Sequence, residues 1–329
     1  MKFVYVIVSS ENDYYVEESL VSMHSLKMYN PKAKITAVID KETFDNLKEG
    51  RERIKTYIDE VIIPEIPDGL SGTQKSRYLK TSLRPLVKGD FLYIDNDTVI
   101  KGDLSGLDKI EFDIGAVFNM HRNDWSIENP HSMIKFYYTK AKKNITTELK
   151  ITKYYNGGII FSKDTDLSLK FFNKWHELWW SDSKNLNFHK DQPALWEANY
   201  QLGNILSNLD DIYNCQIVYP KYALQYLSEA KILHYFSSVP IARHMKIKQK
   251  MYLKTIREKG ITQEIVKDII NFEKEFITGI KIIMDEDLRD YDKPVTIMGR
   301  RMSNTFPSLN KPLSKVYKIW HKISEICNN

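Results

Sequence analysis

Two carboxylates separated by one residue, Asp95 and Asp97, follow an apolar run at residues 91–94. In an extended segment residues i and i+2 face the same side, so this spacing predicts that both side chains converge on one point. Ionised carboxylates beside a buried strand are costly unless a cation or hydrogen bonds compensate them. Paired oxygen ligands are typical of Mg²⁺ or Mn²⁺ sites that accept substrate phosphates. A simple turn is the alternative interpretation, because Asp and Asn are common where strands end.

The segments around these carboxylates alternate between strand and helix patterns. Apolar runs predict strands at residues 3–8, 35–40 and 60–64, and helical spacing predicts helices at 15–28 and 43–57. This order predicts an α/β fold with a parallel sheet, in which ligands bind at the carboxyl ends of the strands. Ser9, Ser10 and the Asp95 segment stand at such ends, so we expect them to share one site.

The first strand-to-helix turn contains neither Gly-x-Gly-x-x-Gly nor Gly-Lys-Ser/Thr. Their absence argues against a dinucleotide dehydrogenase and against a P-loop enzyme. A diphosphate would then be held by a metal and by cationic side chains. Arg77, near the start of the helical segment before the Asp pair, is the preferred candidate to reach a phosphate or ribose. Lys80 and Arg84 are predicted to be solvated charges on the same segment.

Three later motifs carry groups that could complete a site. Asn156-Gly157-Gly158 opens an apolar strand, where glycines let the backbone approach a flat ligand, although a plain turn is the alternative. Asp191-Gln192 stands at a helix start, where such a pair is ordinarily a cap. His234 lies inside a short strand, where a single His is more often structural than a ligand.

Composition narrows the class of protein further. The two cysteines among 329 residues, Cys215 and Cys327, fit no metal-ligand spacing and indicate a reducing compartment. No apolar stretch approaches the roughly 18–20 residues of a membrane span, and the N-terminal apolar run has no signal-peptide cleavage site. We therefore expect a cytoplasmic protein. The net charge is +5, and residues 243–329 carry 18 Lys and Arg against 11 Asp and Glu, so the basic excess belongs to the tail.

Residues 311–323 are the informative part of that tail. On a helix, their apolar side chains fall on one face and their lysines on another. This pattern is typical of an amphipathic helix on an anionic membrane, and it would place the protein peripherally on the inner face of the membrane. The alternative is a helix packed on the domain with a solvated basic face. No nucleic-acid reader motif accompanies the basic residues, so nucleic acid is not an expected partner.

Taken together and in this order, the motifs resemble those of the retaining nucleotide-sugar glycosyltransferases of glycosyltransferase family 8. This is the family of glycogenin and of bacterial lipopolysaccharide galactosyl- and glucosyltransferases. The matching stretches lie at residues 3–10, 76–79, 93–97, 155–158, 190–192 and 233–235. The resemblance implies a GT-A fold, a mixed α/β sheet flanked by helices. It places the catalytic domain at residues 1–242 and a basic helical extension at 243–329.

The resemblance also implies roles for individual residues. Asp95, Asp97 and His234 would hold Mn²⁺ or Mg²⁺, which bridges the diphosphate of a UDP-sugar. The implied donor-binding residues are Ser9, Ser10, Arg77, Asn96 and Gly157. Asn156, Gly157, Asp191 and Gln192 match positions that line the transferred sugar, and Asn156, Asp191 and Gln192 are the implied catalytic residues.

Two departures from the family pattern concern the donor. A Lys that usually follows the metal His is missing from residues 236–241, and Arg243 or Lys246 is a candidate to replace it. Asn119 stands where the strand after the Asp pair often ends in Asp.

The implied activity is transfer of galactose or glucose from a UDP-sugar to a glycan or lipid-linked saccharide in cell-surface polysaccharide or lipopolysaccharide synthesis. The alternative is a catalytically weak protein that binds a nucleotide-sugar or glycan on the same fold. A metal-dependent nucleotidyl- or phosphotransferase is disfavoured by the lack of an early glycine-rich loop.

Overall fold

The computed structural model describes residues 1–123, 153–217, 220–237, 245–272, 293–295 and 298–299. The chain divides into two compact units, Met1–Phe276 and Ile277–Asn329. All elements described below belong to the first unit. The segment 311–323 lies outside the described residues, so its amphipathic helix stays a prediction.

Within the described residues there are ten strands: β1 (Lys2–Ile7), β2 (Lys34–Ile39), β3 (Glu60–Ile62), β4 (Phe91–Ile94), β5 (Thr98–Ile100), β6 (Ile114–Phe118), β7 (Tyr155–Ser162), β8 (Ser207–Asn208), β9 (Cys215–Gln216) and β10 (Ile232–His234). The larger sheet has the order β3-β2-β1-β4-β7-β6-β8, and the smaller has the order β5-β10-β9. β1, β2, β3 and β4 run parallel, whereas β7 is antiparallel to both β4 and β6. The predicted mixed α/β sheet is therefore confirmed.

The described helices are α1 (Tyr15–Tyr29), α2 (Lys41–Asp45), α3 (Gly72–Thr81), α4 (Leu83–Leu86), α5 (Asp166–Asn185), α6 (Gln192–Gln201), α7 (Pro220–Leu227), α8 (Lys250–Lys259) and α9 (Gln263–Ile270). Side chains of β1 alternate between two cores: Phe3, Tyr5 and Ile7 cluster with α1, whereas Val4 and Val6 cluster with α3, α5 and α6. Because a strand covered on both faces needs apolar residues at every position, β1 reads as an uninterrupted apolar run.

The smaller sheet places the Asp pair beside β10, which lies far away in the sequence. After residues 95–97 the chain passes from the larger sheet to the smaller one. There β5 pairs antiparallel with β10, so that Thr98 stands opposite His234. The Tyr235 amide donates to the Asp97 carbonyl at 3.1 Å. The Asp pair thus lies in a turn between two sheets, and the predicted extended geometry is wrong. The strand pairing, rather than the i, i+2 spacing, sets where Asp97 and His234 lie.

The predicted helix at residues 43–57 is wrong over most of its length. α2 ends at Asp45, and Glu49–Thr56 form a 3-10 helix. Glu49 has a φ of 50°, which breaks α-helical geometry. A Cβ on Gly50 would overlap the carbonyl oxygen of Arg257, so this segment is shaped by close packing against the end of α8. Such packing leaves no mark on local periodicity.

Residues 245–272 form the longest described part of the predicted C-terminal extension, and they are largely helical. α8 and α9 bury Leu253, Ile256, Ile265 and Ile269 in the core that also contains α1. The division of function between residues 1–242 and 243–329 stays a prediction. None of the helices among the described residues is both long enough and apolar enough to cross a membrane.

Candidate active site

A cleft of about 600 Å³ opens at the carboxyl ends of β1, β2 and β4. The predicted residues that line it are Ser9, Ser10, Arg77, Asp95, Asn96 and Asp97. Gly157 and the other predicted site residues are not among its lining residues. Side chains that follow three separate strands are thus brought together at the strand ends, where the alternating pattern predicts a site.

The three predicted metal ligands form one group. The ligand atoms of Asp95, Asp97 and His234 all lie within 4.8 Å of one another. His234 Nε2 is 3.1 Å from Asp97 Oδ1 and 3.9 Å from Asp95 Oδ2. Neighbouring ligands of an octahedral ion with bonds of about 2.1 Å are roughly 3 Å apart. Small side-chain movements would therefore bring all three atoms onto one cation.

Hydrogen bonds fix which nitrogen of His234 faces the carboxylates. Asn214 Nδ2 donates to Asn156 Oδ1 at 3.0 Å, so Asn214 Oδ1 is turned to the imidazole and accepts from His234 Nδ1 at 3.1 Å. With the proton on Nδ1, the lone pair of Nε2 points toward the two Asp side chains. An imidazole lone pair beside two carboxylates suits a divalent ion such as Mn²⁺, so the residues fit the predicted metal.

Asp97, one of the predicted metal ligands, is ionised at neutral pH. Burial by itself would raise its pKa, but when His234 is protonated on both nitrogens, the imidazolium charge and the hydrogen bond from Nε2 more than offset burial and lower the pKa to about 2. The Ser237 amide adds to this effect by donating to Asp97 Oδ2 at 2.8 Å.

A chain of buried amides continues from His234 to Gln192. Asn156 Nδ2 donates to Asn119 Oδ1 at 3.3 Å, and Gln192 Nε2 donates to the same oxygen at 3.1 Å. Asn119, where the family pattern often has Asp, thus accepts two amide hydrogen bonds without bearing charge. Asn214 completes the chain, and no sequence pattern singled it out.

α3 contains two cations, Arg77 and Lys80, that lie close to predicted site residues. A capping box between Ser71 and Gln74 fixes the start of this helix. Arg77 and Lys80 are three residues apart and therefore lie on one helix face. Arg77 lines the cleft, and its Nε lies 3.0 Å from Asp191 Oδ1.

Lys80 is a buried cation that bridges two predicted site residues. Its side chain is 4% exposed, and its Nζ lies 3.3 Å from Asp95 Oδ1 and 3.2 Å from Asp191 Oδ2. The ammonium also lies 5.0 Å from the centroid of the Tyr93 ring. Arg84 is buried as well, so the prediction that Lys80 and Arg84 are solvated is wrong for both. Helical spacing identifies a shared face but does not tell whether other elements cover it.

Asp191 and Gly157 meet beside Lys80. Burial alone would raise the pKa of Asp191, but the charges of Lys80 and then Arg77 lower it to about 2. A Cβ on Gly157 would lie 3.5 Å from Lys80 Nζ and 3.7 Å from Asp191 Oδ2. Lys80 therefore joins the predicted sugar-site residues to the metal group.

Asp13 organises the predicted donor-binding serines. The Ser9 hydroxyl donates to Asp13 Oδ1, and the amide and hydroxyl of Ser10 donate to Asp13 Oδ2 at 2.7 and 2.8 Å. Both serines and Asp13 line the cleft. The sequence shows only a polar turn here, so Asp13 was not predicted as a site residue. Its spacing of three and four residues from the serines is the signal that could have found it, because Asp commonly caps such turns.

Two further cleft residues were also missed. Tyr15 is 42% exposed and lines the cleft with its ring. Glu18 is 5% exposed and lines the same cleft, and its Oε2 has no hydrogen-bond partner among the described residues. Burial and then the charge of Asp97 raise the pKa of Glu18 well above its usual value. Both residues lie in α1, whose apolar spacing alone was used to predict a helix.

A protein family matches most of the sequence. The model of Glycosyl transferase family 8 matches residues 6–240. The chain belongs to this family. It is therefore a glycosyltransferase, an enzyme of the EC 2.4 class with the GT-A fold, as the motifs predicted. The matched segment contains every predicted site residue and ends before α8.

Several solved glycosyltransferase structures are similar to this family 8 chain. The apo form of GlyE from Streptococcus pneumoniae TIGR4 is 17% identical, with a TM-score of 0.43 over 72% of this chain and 55% of that chain. Mouse xyloside xylosyltransferase 1 is 12% identical, with a TM-score of 0.46 over 73% of this chain and 99% of that chain. The galactosyltransferase LgtC, in complex with donor and acceptor sugar analogs, is 14% identical, with a TM-score of 0.49 over 85% and 98%. The chain thus spans about half of GlyE. A search of curated proteins finds no significant match.

The described lining of the cleft in this glycosyltransferase is mostly acidic. Lys246, one candidate replacement for the missing family Lys, lies 3.0 Å from Asp268 and is not among the cleft residues, and Arg243 lies outside the described residues. Among the described residues, six carboxyl groups line the cleft against two cations, Lys75 and Arg77. Lys75 pairs with Asp40 and Glu42, and Arg77 pairs with Asp191.

We expect Gly158→Ala to weaken Mn²⁺ binding by about 10- to 100-fold, the usual effect of disturbing what orients a metal ligand. A Cβ here would overlap the His234 ring, with 2.8 Å to Nδ1, and would lie 2.9 Å from Asn156 Oδ1. Gly157→Ala is the matched control, because its Cβ would make only ordinary contacts. Titration of Mn²⁺ into both variants checks this. Equal affinities would show that His234 is not placed by the contact with Gly158.

Proposed function

We propose that this family 8 enzyme is a metal-dependent, retaining hexosyltransferase that moves galactose or glucose from a UDP-sugar to a glycan or lipid-linked saccharide. The observation that carries the proposal is the group of Asp95, Asp97 and His234 at a cleft whose two cations in the described part of the chain are already paired with carboxylates. A diphosphate entering this cleft would meet mostly negative charge. A divalent cation on the three ligands is what would make its binding favourable.

The donor would lie along the cleft from the serines to the metal group. A bound divalent ion would supply positive charge that stabilises the departing diphosphate. Ser9 and Ser10, fixed by Asp13, would meet the nucleoside. The exposed ring of Tyr15 offers a flat face of the kind on which a base stacks. Arg77 would add charge-assisted hydrogen bonds to phosphate or ribose.

The transferred sugar would lie near Gly157, Asp191 and Gln192. Asp191, kept ionised by Lys80 and Arg77, would orient the sugar by accepting hydrogen bonds from its hydroxyls. Gln192 donates to Asn119 through Nε2, so its carbonyl oxygen is turned away from Asn119 and could stabilise positive charge at the anomeric carbon. Asn156 would link these sugar-site residues to His234, because it is hydrogen-bonded to Asn119 and to Asn214.

We assign a front-side reaction with retention. The acceptor oxygen bonds to the anomeric carbon on the face from which UDP departs, as the bond from that carbon to the diphosphate oxygen breaks. The proton of the acceptor hydroxyl passes to the departing phosphate oxygen. Double displacement would need a nucleophile on the other face, and the amide of Gln192 is a weak one.

The acceptor and the location form a further part of the proposed function. A role in cell-surface polysaccharide or lipopolysaccharide synthesis, in the cytoplasm and peripherally on the inner membrane face, is supported by the basic segment 311–323. Binding to anionic vesicles with and without residues 311–329 is the measurement for this part.

Release of UDP from a panel of UDP-sugars, with Mn²⁺ and with chelator, tests the proposed function. We expect metal-dependent release from UDP-galactose or UDP-glucose, accelerated by a saccharide acceptor. A panel of GDP-sugars is the matched control and should be inert. UDP binding without release from any donor or acceptor pair would favour the alternative, a nucleotide-sugar or glycan binding protein on this fold.

A further inference from the structure

Residues 9–13, which we call the donor loop, are held from behind by two arginines. Arg51 donates to the carbonyls of Ser10 and Asp13 at 2.7 and 2.6 Å. Arg257, in α8, donates to the carbonyl of Glu11 at 2.9 Å and also to that of Asp13. Three carbonyls of a five-residue loop are thus bound by charged donors, which make stronger hydrogen bonds than neutral ones do.

One buried carboxylate ties these arginines together. Glu17, in α1, is 1% exposed. Its Oε1 is 2.9 Å from Arg51 Nε and 2.7 Å from Arg257 Nε, and its Oε2 is 3.2 Å from an Nη2 of each. Each guanidinium therefore binds Glu17 with two parallel hydrogen bonds, a geometry that fixes its orientation.

The backbone of α8 is docked as closely as the Arg257 side chain. The absence of a side chain at Gly50 lets the Arg257 carbonyl approach, because a Cβ there would overlap that oxygen. Arg53 Nη1 donates to the same carbonyl at 3.1 Å. Arg257 is also outside the segment matched to the family, which ends at residue 240. The donor loop is therefore supported by a part of the chain beyond the family segment.

We propose that Arg257 is a positioning residue for the donor loop, and that α8 thereby sets the affinity of the enzyme for the nucleoside diphosphate rather than its turnover. The inference rests on the proposed function, in which Ser9 and Ser10 meet the nucleoside. Arg257 faces the carbonyls of the loop, while Ser9 and Ser10 line the cleft. A loop already ordered before the nucleotide arrives loses less conformational freedom when it binds.

The test compares UDP binding and kinetics in the full-length wild type, Arg257→Gln and Arg257→Lys. With Mn²⁺ present, we expect the Kd for UDP to rise about 10-fold in Arg257→Gln, since it loses charged hydrogen bonds. Arg257→Lys keeps the charge but loses the paired N–H donors of the guanidinium, so the Kd for UDP should rise about 3-fold. The KM for the UDP-sugar should rise in parallel while kcat changes less than about 2-fold, and Mn²⁺ affinity without nucleotide should not change.

Lys254→Gln is the matched control, because Lys254 lies one turn earlier in α8, is 57% exposed and pairs with Glu258. Unchanged UDP affinity in Arg257→Gln, or a fall in kcat as large as the fall in kcat/KM, would overturn the positioning role. If Arg257→Gln fails to fold, Arg257→Lys decides, and wild-type UDP affinity in that variant overturns the inference. Wild type that binds no UDP at all would instead refute the proposed function.

Discussion

Asp97→Asn is expected to reduce metal-dependent UDP release at least about 100-fold, with Mn²⁺ affinity falling in parallel. The substitution keeps the shape of the side chain but removes the charge of one of the two carboxylates in the metal group. Asp97 Oδ1 is also the carboxylate oxygen nearest to His234 Nε2, at 3.1 Å. The substitution therefore weakens the ligand whose oxygen already lies at the expected ligand-to-ligand distance from His234. Mn²⁺ titration and UDP release on the same preparation measure both effects.

Asp45→Asn is the control for this substitution. Asp45 is 52% exposed and pairs with Lys41 one helical turn away, so its charge should not affect the cleft. Release that remains chelator-sensitive and near wild type in Asp97→Asn would mean that the cation binds elsewhere, and the proposed site would be wrong.

Lys80→Met is expected to lower kcat/KM at least about 100-fold and to lower the free energy of unfolding by about 3 kcal/mol. Methionine has nearly the same length but no charge, so Asp95 and Asp191 would lose the cation between them. Asp191 keeps Arg77, but its second oxygen would be left without a cationic partner. Displacement of either carboxylate by about 1 Å is enough for a loss of this size. Urea unfolding and UDP release measure the two effects.

Arg84→Met separates the effect on stability from the effect on the site. Arg84 is another buried cation, 4% exposed, but it donates to the backbone carbonyls of Gly89 and Lys163. Its loss should destabilise the fold by a similar amount and change kcat/KM of the folded enzyme by less than about 3-fold.

The double variant Lys80→Met/Asp191→Asn adds a sharper test. Neutralising Asp191 removes the charge of a carboxylate oxygen that has lost Lys80, so stability should partly recover while activity does not. Recovery of activity would contradict the role assigned to Asp191.

Asp95 and Asp97 were recognisable as possible metal ligands from their place after a buried strand, whereas His234 was assigned as a ligand only through the resemblance to family 8. Asp95 and Asp97 end an apolar run, and His234 sits inside another, so their polarity stands out against buried strands. The geometry that joins them was not recognisable, since it depends on β5 leaving one sheet to pair with β10. Strand exchange between sheets follows from the packing of the whole domain rather than from residue spacing.

Lys80, Asn214 and Asp13 illustrate what the sequence could not supply. A Lys in a helix has the same local pattern whether it faces water or two carboxylates, and only the position of Asp95 and Asp191 distinguishes the cases. Asn214 matters because its amide lies between His234 and Asn156, which come from different strands. The failed helix at 43–57 has the same origin, because the conformation at Gly50 depends on a carbonyl about two hundred residues later in the chain.

The pairing of β5 with β10 has a consequence for the order of folding. Asp97 and His234 are 137 residues apart, so the pocket for the cation closes only after that long intervening chain has been synthesised and its two ends have met. Loop closure over such a distance makes this a late step. A cation that binds only the completed site pulls the equilibrium toward the finished fold by mass action. The ion that we propose for sugar transfer would thus also favour chains that have finished folding.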